Sequence, residues 1–261
     1  MLAAELIAKG LPSLPVLALS LITPIFISMA SFAINDYFDM EVDRVNRKNR
    51  PLVTGELRPV DALYVTSASL IIGIAASFLI NMYAFAIAVI FAALAMLYSY
   101  RLKGIALVGN SYIAFSMAVP FIYGSYVVGT GIGEGVALVA AMIFLSGLAR
   151  EIHGTVRDLS GDRRARGLRT LPGIIGKTAS SAVGLLLYLA AIAISVYLFL
   201  GVSPFRHNPV YGGLVGISDA ALLYIGIGYL AVRRQGFYDM SRNVSLAAMA
   251  LALLAILLAP V

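Results

Sequence analysis

The chain has no cysteine in 261 residues. That removes disulfides, thiolate chemistry and iron–sulfur ligation from consideration. Two histidines are too few for a histidine-rich metal site. Charge is also scarce: Asp, Glu, Lys and Arg make up 12% of the chain, against about 25% in an ordinary soluble domain. Apolar residues make up 61%. A transmembrane helix needs about 20 mostly apolar residues, and eight runs approach that: 12–34, 60–80, 82–100, 105–129, 135–152, 178–201, 212–232 and 244–261. Only helices or closed barrels satisfy their backbone in lipid, and continuous runs of this length are helical. The expected fold is a single all-α domain over 1–261, a polytopic bundle of about eight transmembrane helices. The first ten residues lack the basic start and short apolar stretch of a cleavable signal.

Lys and Arg are unevenly placed along these runs. Of 19, 17 fall in alternate connections, at 35–59, 101–104, 150–177 and 233–243. Cytoplasmic loops carry the Lys/Arg excess, so these four connections are expected at the cytoplasmic face of the cell membrane. The net charge of +6 is therefore mostly a topology signal. No basic stretch belongs to a nucleic-acid-binding module, and nothing implies a protein partner. Contacts with phosphate or anionic lipid head groups remain open.

Positive-inside sorting does not call for carboxylates, yet most of them lie on the same side. They form a duplicated pattern: Asp39, Asp43, Arg44, Arg47 and Arg50 recur as Asp158, Asp162, Arg163, Arg166 and Arg169, each pair 119 residues apart. In a helix Asn35, Asp39 and Asp43 share one face with Asp36 beside it, and Glu151, Asp158 and Asp162 form a second stripe. Like charges that close repel unless cations intervene. Oxygen-only ligands suit a hard divalent cation, Mg²⁺ above all, which fills its remaining positions with water and substrate phosphates. The arginines offer planar forks for phosphate oxygens. The duplicated pattern points to a diphosphate held by bridging metals, whereas a single Asp-x-x-x-Asp reads as well as a solvated helix end.

Asn35-Asp36-x-x-Asp39-x-x-x-Asp43 is similar to the first aspartate-rich motif of the UbiA superfamily of intramembrane prenyltransferases, and Asp158-x-x-x-Asp162 to the second. The run NDYFDMEVDRVNRKNRP with Gly55, LYSYRLKG at 97–104, Gly109-Asn110, AREI at 149–152 and residues 161–172 resemble its digeranylgeranylglyceryl phosphate synthase subfamily. The resemblance implies transfer of a geranylgeranyl or similar group from a prenyl diphosphate to geranylgeranylglyceryl phosphate. The head group is expected between the two motifs and the tail in an apolar, water-poor channel. Asp39, Asp43, Asp158, Asp162 and Lys103 are the expected catalytic residues, and Asn35, Asp36, Asp39, Asp43, Glu151, Asp158 and Asp162 the expected Mg²⁺ ligands. Substrate contacts are expected from Asn35, Arg44, Arg47, Arg50, Tyr98, Tyr100, Asn110, Arg150, Arg166 and Arg169.

The chain departs from the subfamily in having Gly154, Thr155 and Arg157 where a Lys-Asp pair and a Glu are usual. The family has nine helices, and the first is expected to be missing here or reduced to residues 1–10. An aromatic acceptor, a hydroxybenzoate or naphthoate, is the alternative substrate. A non-catalytic membrane lipid-binding protein is the alternative from another class. A secondary transporter would carry its ionisable residues near the midplane, and here nearly all lie at one edge. His153 is expected to cap or pack, and Asp219 to cap a helix near its outer end.

Overall fold

The computed structural model describes residues 7, 10–45, 49–166, 170–232 and 234–260, with side chains in all of these but 160–166. Every regular element among them is helical. The chain divides into two compact units, one of 12–109 with 161–168, the other of 1–11, 110–160 and 169–261.

The first unit contains α1 (Leu14–Val45), the short α2 (Pro51–Thr54), α3 (Pro59–Phe78), α4 (Met82–Tyr100) and a single 3₁₀ turn, Leu102–Gly104. Local signals set the starts of these helices. Pro59 occupies the first turn of α3, where a missing N–H costs nothing. Asp61 reaches back to accept from the Arg58 backbone N–H at 2.8 Å, and the Asn81 side chain caps α4 by accepting from the Ala84 N–H. The buried positions of α4 are Ala84, Ala88, Ala92, Ala95 and Ser99, a stripe of small residues that lets α1 come close. On α3 the same role falls to Gly73: a Cβ there would lie 3.0 Å from Ile27 Cγ1 and 3.2 Å from the Thr23 carbonyl oxygen of α1.

The longer helices of the second unit are α5 (Val108–Val127), which begins at the boundary, α6 (Glu134–Arg166), α8 (Lys177–Gly201), α9 (Pro209–Ala231) and α10 (Gln235–Leu258), with α7 (Leu171–Ile175) a short turn between α6 and α8. Ala118, Val139, Ile143, Leu198, Tyr211 and Ile256 share one core that draws on α5, α6, α8, α9 and α10. A second cluster joins Val156, Tyr188, Leu222 and Tyr229.

Eight long helices thus match the eight apolar runs. Among the described residues seven helices are long and apolar enough to cross a membrane. α5 has the length, but Asn110, Ser111, Ser116 and Ser125 dilute its 20 residues. Large apolar side chains such as Leu14, Phe32, Ile71, Leu186 and Ile217 stand exposed, as they do where lipid is the solvent. The chain is a multi-pass membrane protein. Two boundaries differ from expectation in a way that matters for the site. α1 and α6 do not stop at 34 and 152; they run on for 32 and 33 residues. At 1.5 Å per residue that is about 48 Å, longer than the ~30 Å hydrocarbon core, so both aspartate motifs ride on unbroken helix, at the helix ends where they were expected, and only the helix ends themselves lie further along the chain. The expected remnant of a first helix at 1–10 lies outside the described residues, Ile7 and Gly10 apart.

The packing role of Gly73 is testable against a glycine that packs on nothing. Gly73→Ala should lower stability by about 1–3 kcal/mol through overpacking. Gly216→Ala, where a Cβ meets no atom within 4 Å, should not. Thermal melting of both variants in detergent checks the difference, and equal melting temperatures would contradict it.

Candidate active site

In the first unit the motif residues of α1 form two adjoining groups. Asp39 is 8% exposed and Asp43 2%. The Asn35 amide donates to Asp39 Oδ2 at 3.1 Å. Lys103 Nζ donates to Asn35 Oδ1 at 3.3 Å and to Asp39 Oδ1. A lysine 64 residues away in sequence therefore closes on two side chains one helical turn apart. Gly109 makes this possible: a Cβ there would sit 3.1 Å from the Lys103 Cα and 3.2 Å from the Leu102 carbonyl oxygen. The second group centres on Arg50, whose Nη1 donates to Asp36 Oδ1 at 3.0 Å and whose Nε lies 3.8 Å from Asp43 Oδ2. Arg44 turns elsewhere, pairing with exposed Glu41 at 2.9 Å. Tyr98 is half-buried on α4, and Tyr100, 68% exposed, packs on Phe38 with ring centroids 5.7 Å apart.

In the second unit each described acidic residue of the α6 motif is held by the arginine before it. Arg150 Nη1 donates to Glu151 at 2.9 Å. Arg157 grips Asp158 with both prongs, Nε to Oδ1 at 2.7 Å and Nη2 to Oδ2 at 2.6 Å, the fork-on-fork pairing that a guanidinium makes and an ammonium cannot. Arg157, one of the residues at which the chain departs from the subfamily it resembles, supplies a local cation to Asp158. Asp162 and Arg166 continue the helix one and two turns further, with side chains outside the description, and Arg47 and Arg169 lie outside the described residues. Asn110 sits in the first turn of α5 with its Nδ2 buried and no hydrogen-bond partner among the described residues.

The donors of the first motif, three carboxylates and one amide, are all oxygen and in chemistry fit a hard cation. Among the described residues no three carboxylate or imidazole groups converge as a ready-made metal cluster; lysine and arginine nitrogens supply the opposite charge instead.

Two outcomes were not expected from the sequence. Asp219 is no cap. Asn208 caps α9, accepting from the Val210 and Tyr211 N–H groups, while Asp219 lies well inside the helix and accepts a hydrogen bond from Ser195 of α8. It borders a cavity of about 110 Å³ with Met117, Met142, Leu222 and Met249. By itself that cavity falls short of the ~300 Å³ at which ligand pockets begin. The other is the grip of Arg157 on Asp158, which spacing alone did not single out.

The model of the UbiA prenyltransferase family matches residues 1–236. The chain belongs to the UbiA prenyltransferase family. It is similar to digeranylgeranylglyceryl phosphate synthase of Archaeoglobus fulgidus, with 39% identity over 239 residues covering 91% of this chain and 81% of that one. With the synthase of Thermococcus kodakarensis identity is 32% over 226 residues, covering 86% of this chain and 72% of the relative. Among solved structures, one concerned with digeranylgeranylglyceryl phosphate synthase in membranes superposes with a TM-score of 0.82 at 26% identity, covering 99% of this chain and 90% of that chain. A UbiA homologue of Archaeoglobus fulgidus bound to GPP and Mg²⁺ shares the fold, with a TM-score of 0.67 at 20% identity over 97% of this chain and 93% of that one. For a UbiA member, the Gly109-Asn110 pair now has a physical reading: the glycine admits the lysine turn to the first motif.

The seating of Lys103 generates the prediction here. Gly109→Ala would drive a Cβ into backbone, which cannot swing aside, and should cost about 1–3 kcal/mol. Gly133→Ala, with nothing within 4 Å, is the control. Unfolding of the two variants compared in one detergent checks it; indistinguishable curves would mean that the turn does not depend on Gly109.

Proposed function

We propose that this chain transfers a geranylgeranyl group from geranylgeranyl diphosphate to the free glycerol hydroxyl of geranylgeranylglyceryl phosphate, and that residues 1–261 act as one prenyltransferase domain. The observation that carries this reading is the 39% identity to the Archaeoglobus fulgidus synthase across 91% of the chain, a span that takes in both aspartate motifs. The family match through both compact units supports a single catalytic domain.

Asn35, Asp36, Asp39, Asp43, Glu151, Asp158 and Asp162 are the oxygen donors that would hold Mg²⁺. When bound, the metal supplies positive charge against which a diphosphate leaves. Lys103, seated on Asn35 and Asp39, is placed to give a proton-bearing ammonium to a diphosphate oxygen beside those carboxylates. Arg50, Arg150, Arg166 and Arg169 supply further cationic donors, and Asn110 an amide. The bond between the allylic carbon and the diphosphate oxygen breaks; the acceptor oxygen forms the new ether bond to that carbon, and its proton passes to the departing diphosphate. Water would intercept the allylic cation, so its exclusion falls to Tyr98, Tyr100 and the apolar helix faces. The excess of basic residues over the needs of one metal-neutralised diphosphate supports an acceptor that is itself phosphorylated.

Purified protein with labelled geranylgeranyl diphosphate should alkylate geranylgeranylglyceryl phosphate in Mg²⁺ and fall silent in chelator. Asp39→Ala and Asp158→Ala should each reduce turnover on the order of a hundredfold or more with the fold retained. Full activity of both variants would sink the motif assignment. Prenylation of an aromatic acid, with the glycerol ether neither consumed nor inhibitory, would replace the acceptor. Prenyl diphosphate binding with no transfer to any acceptor would leave a lipid-binding protein.

The same reading places the motif-bearing connections in the cytoplasm, supported by the 17-to-2 split of basic residues. A cysteine introduced at Asn49 has no native thiol to compete with it. It should react with an impermeant maleimide only after the cells are opened, and labelling of intact cells would reverse the orientation.

A further inference from the structure

Arg150, His153 and Arg157 are spaced by three and four residues, so they share one face of α6. The two arginines flank the histidine, one turn before it and one turn after. Both arginines hold acidic residues, Glu151 and Asp158. The histidine holds neither. It is 2% exposed, and its ring lies flat on Tyr229 of α9, centroids 4.1 Å apart and planes within 18°. Tyr229 in turn stacks on Tyr238 of α10 at 4.9 Å. Tyr188 of α8 also meets the ring, tilted, with centroids 5.4 Å apart.

The slot that admits the ring is Gly184 of α8, where a Cβ would lie 2.4 Å from His153 Nε2 and within 3 Å of two ring carbons. No residue but glycine leaves room. Hydrogen bonding contributes little to the seating. Nε2 lies 3.4 Å from the Ser181 carbonyl oxygen, at the long limit for such a bond, and Nδ1 has no hydrogen-bond partner among the described residues. Shape and stacking hold the ring.

We infer that His153 is a positioning residue for the second aspartate motif: the ring, stacked on Tyr229 and seated against Gly184, sets the rotation of α6 about its axis and with it the placement of Glu151 and Asp158, whose carboxylates Arg150 and Arg157 hold in orientation. A helix turned about its axis swings every side chain on it, and ligands displaced by even an ångström lose much of their hold on a metal or a transition state. The bidentate Arg157–Asp158 pair keeps the carboxylate fixed relative to the helix, because two parallel hydrogen bonds set its plane as well as its position. The inference rests on the proposed role of Asp158 as a ligand of Mg²⁺–diphosphate.

The test compares His153→Leu, Tyr229→Leu and His153→Phe in the purified full chain. Two quantities are read: the concentration of Mg²⁺ with inorganic diphosphate that gives half the thermal stabilisation, and the KM for geranylgeranyl diphosphate. The two leucine variants should raise both about tenfold, with kcat lowered less than 1/KM. His153→Phe, which keeps a ring on Tyr229 and lacks only the nitrogens, should restore the wild-type values. Leucine variants that merely melt earlier, with half-saturation unchanged, would reduce His153 to core packing and overturn the inference. So would a phenylalanine variant as impaired as leucine. Should His153→Leu fail to fold, Tyr229→Leu removes the stack from its other side and decides in the same way. Wild-type protein stabilised by Mg²⁺–diphosphate yet inert toward every acceptor would refute the proposed reaction and leave the positioning intact. Wild-type protein indifferent to Mg²⁺–diphosphate would overturn both.

Discussion

A charge at the end of a membrane helix must meet water or an opposite charge, because leaving it alone in a low-dielectric surrounding costs several kcal/mol. That constraint organises the polar part of this protein. Asp39 meets Lys103 and Asn35, Asp36 meets Arg50, Glu151 meets Arg150, and Asp158 meets both prongs of Arg157. Two of these partners are sequence neighbours on the same helix. Arg50 and Lys103 come from outside the two long helices, and the turn that carries Lys103 is packed against the backbone of Gly109.

Away from the charges, helices approach one another through small residues, since lipid offers no hydrophobic drive to press them together. Alanines line α4, and Gly73 admits α1 to α3. In the second unit Gly184 receives His153, Gly226 lies against Leu185 and Tyr188, and Gly228 faces Phe237. Close approach of this kind seats the buried part of α6, where Gly184 meets His153. A helix that carries carboxylates beyond the hydrocarbon edge is long, and a small rotation at its buried stretch is delivered undiminished to its end. Rigid seating of a buried ring is therefore a reasonable place for precision to originate.

The chemistry of the family fits these properties. Transfer through an allylic cation needs strong positive charge at a leaving diphosphate and a dry apolar surrounding for the carbon it leaves. Long amphiphilic helices satisfy both demands along one element, apolar for most of their length and charged at one end. The substrate is itself built in the same way, with a greasy chain and an anionic head.

Several features were legible from sequence because their physics is local or compositional. Apolar runs of about twenty residues can only be helices in lipid, and the repeated Asp-x-x-x-Asp spacing places its carboxylates on one helix face whatever surrounds it. The family was legible for the same reason, since its motif is contiguous between Asn35 and Asp43. What spacing could not reveal was how far α1 and α6 continue, because charged residues end an apolar run without ending a helix. Nor could it separate Arg50, drawn onto Asp36, from Arg44, turned to Glu41, since both obey the same sorting rule. Asp219 looked like a cap until the helix start fell at Pro209 and Ser195 of a neighbouring helix supplied its hydrogen bond. The seat of His153 was beyond sequence altogether: it depends on Gly184, Tyr188 and Tyr229 arriving from two other helices. Backbone periodicity decides which residues share a face, and only packing between helices decides what that face touches.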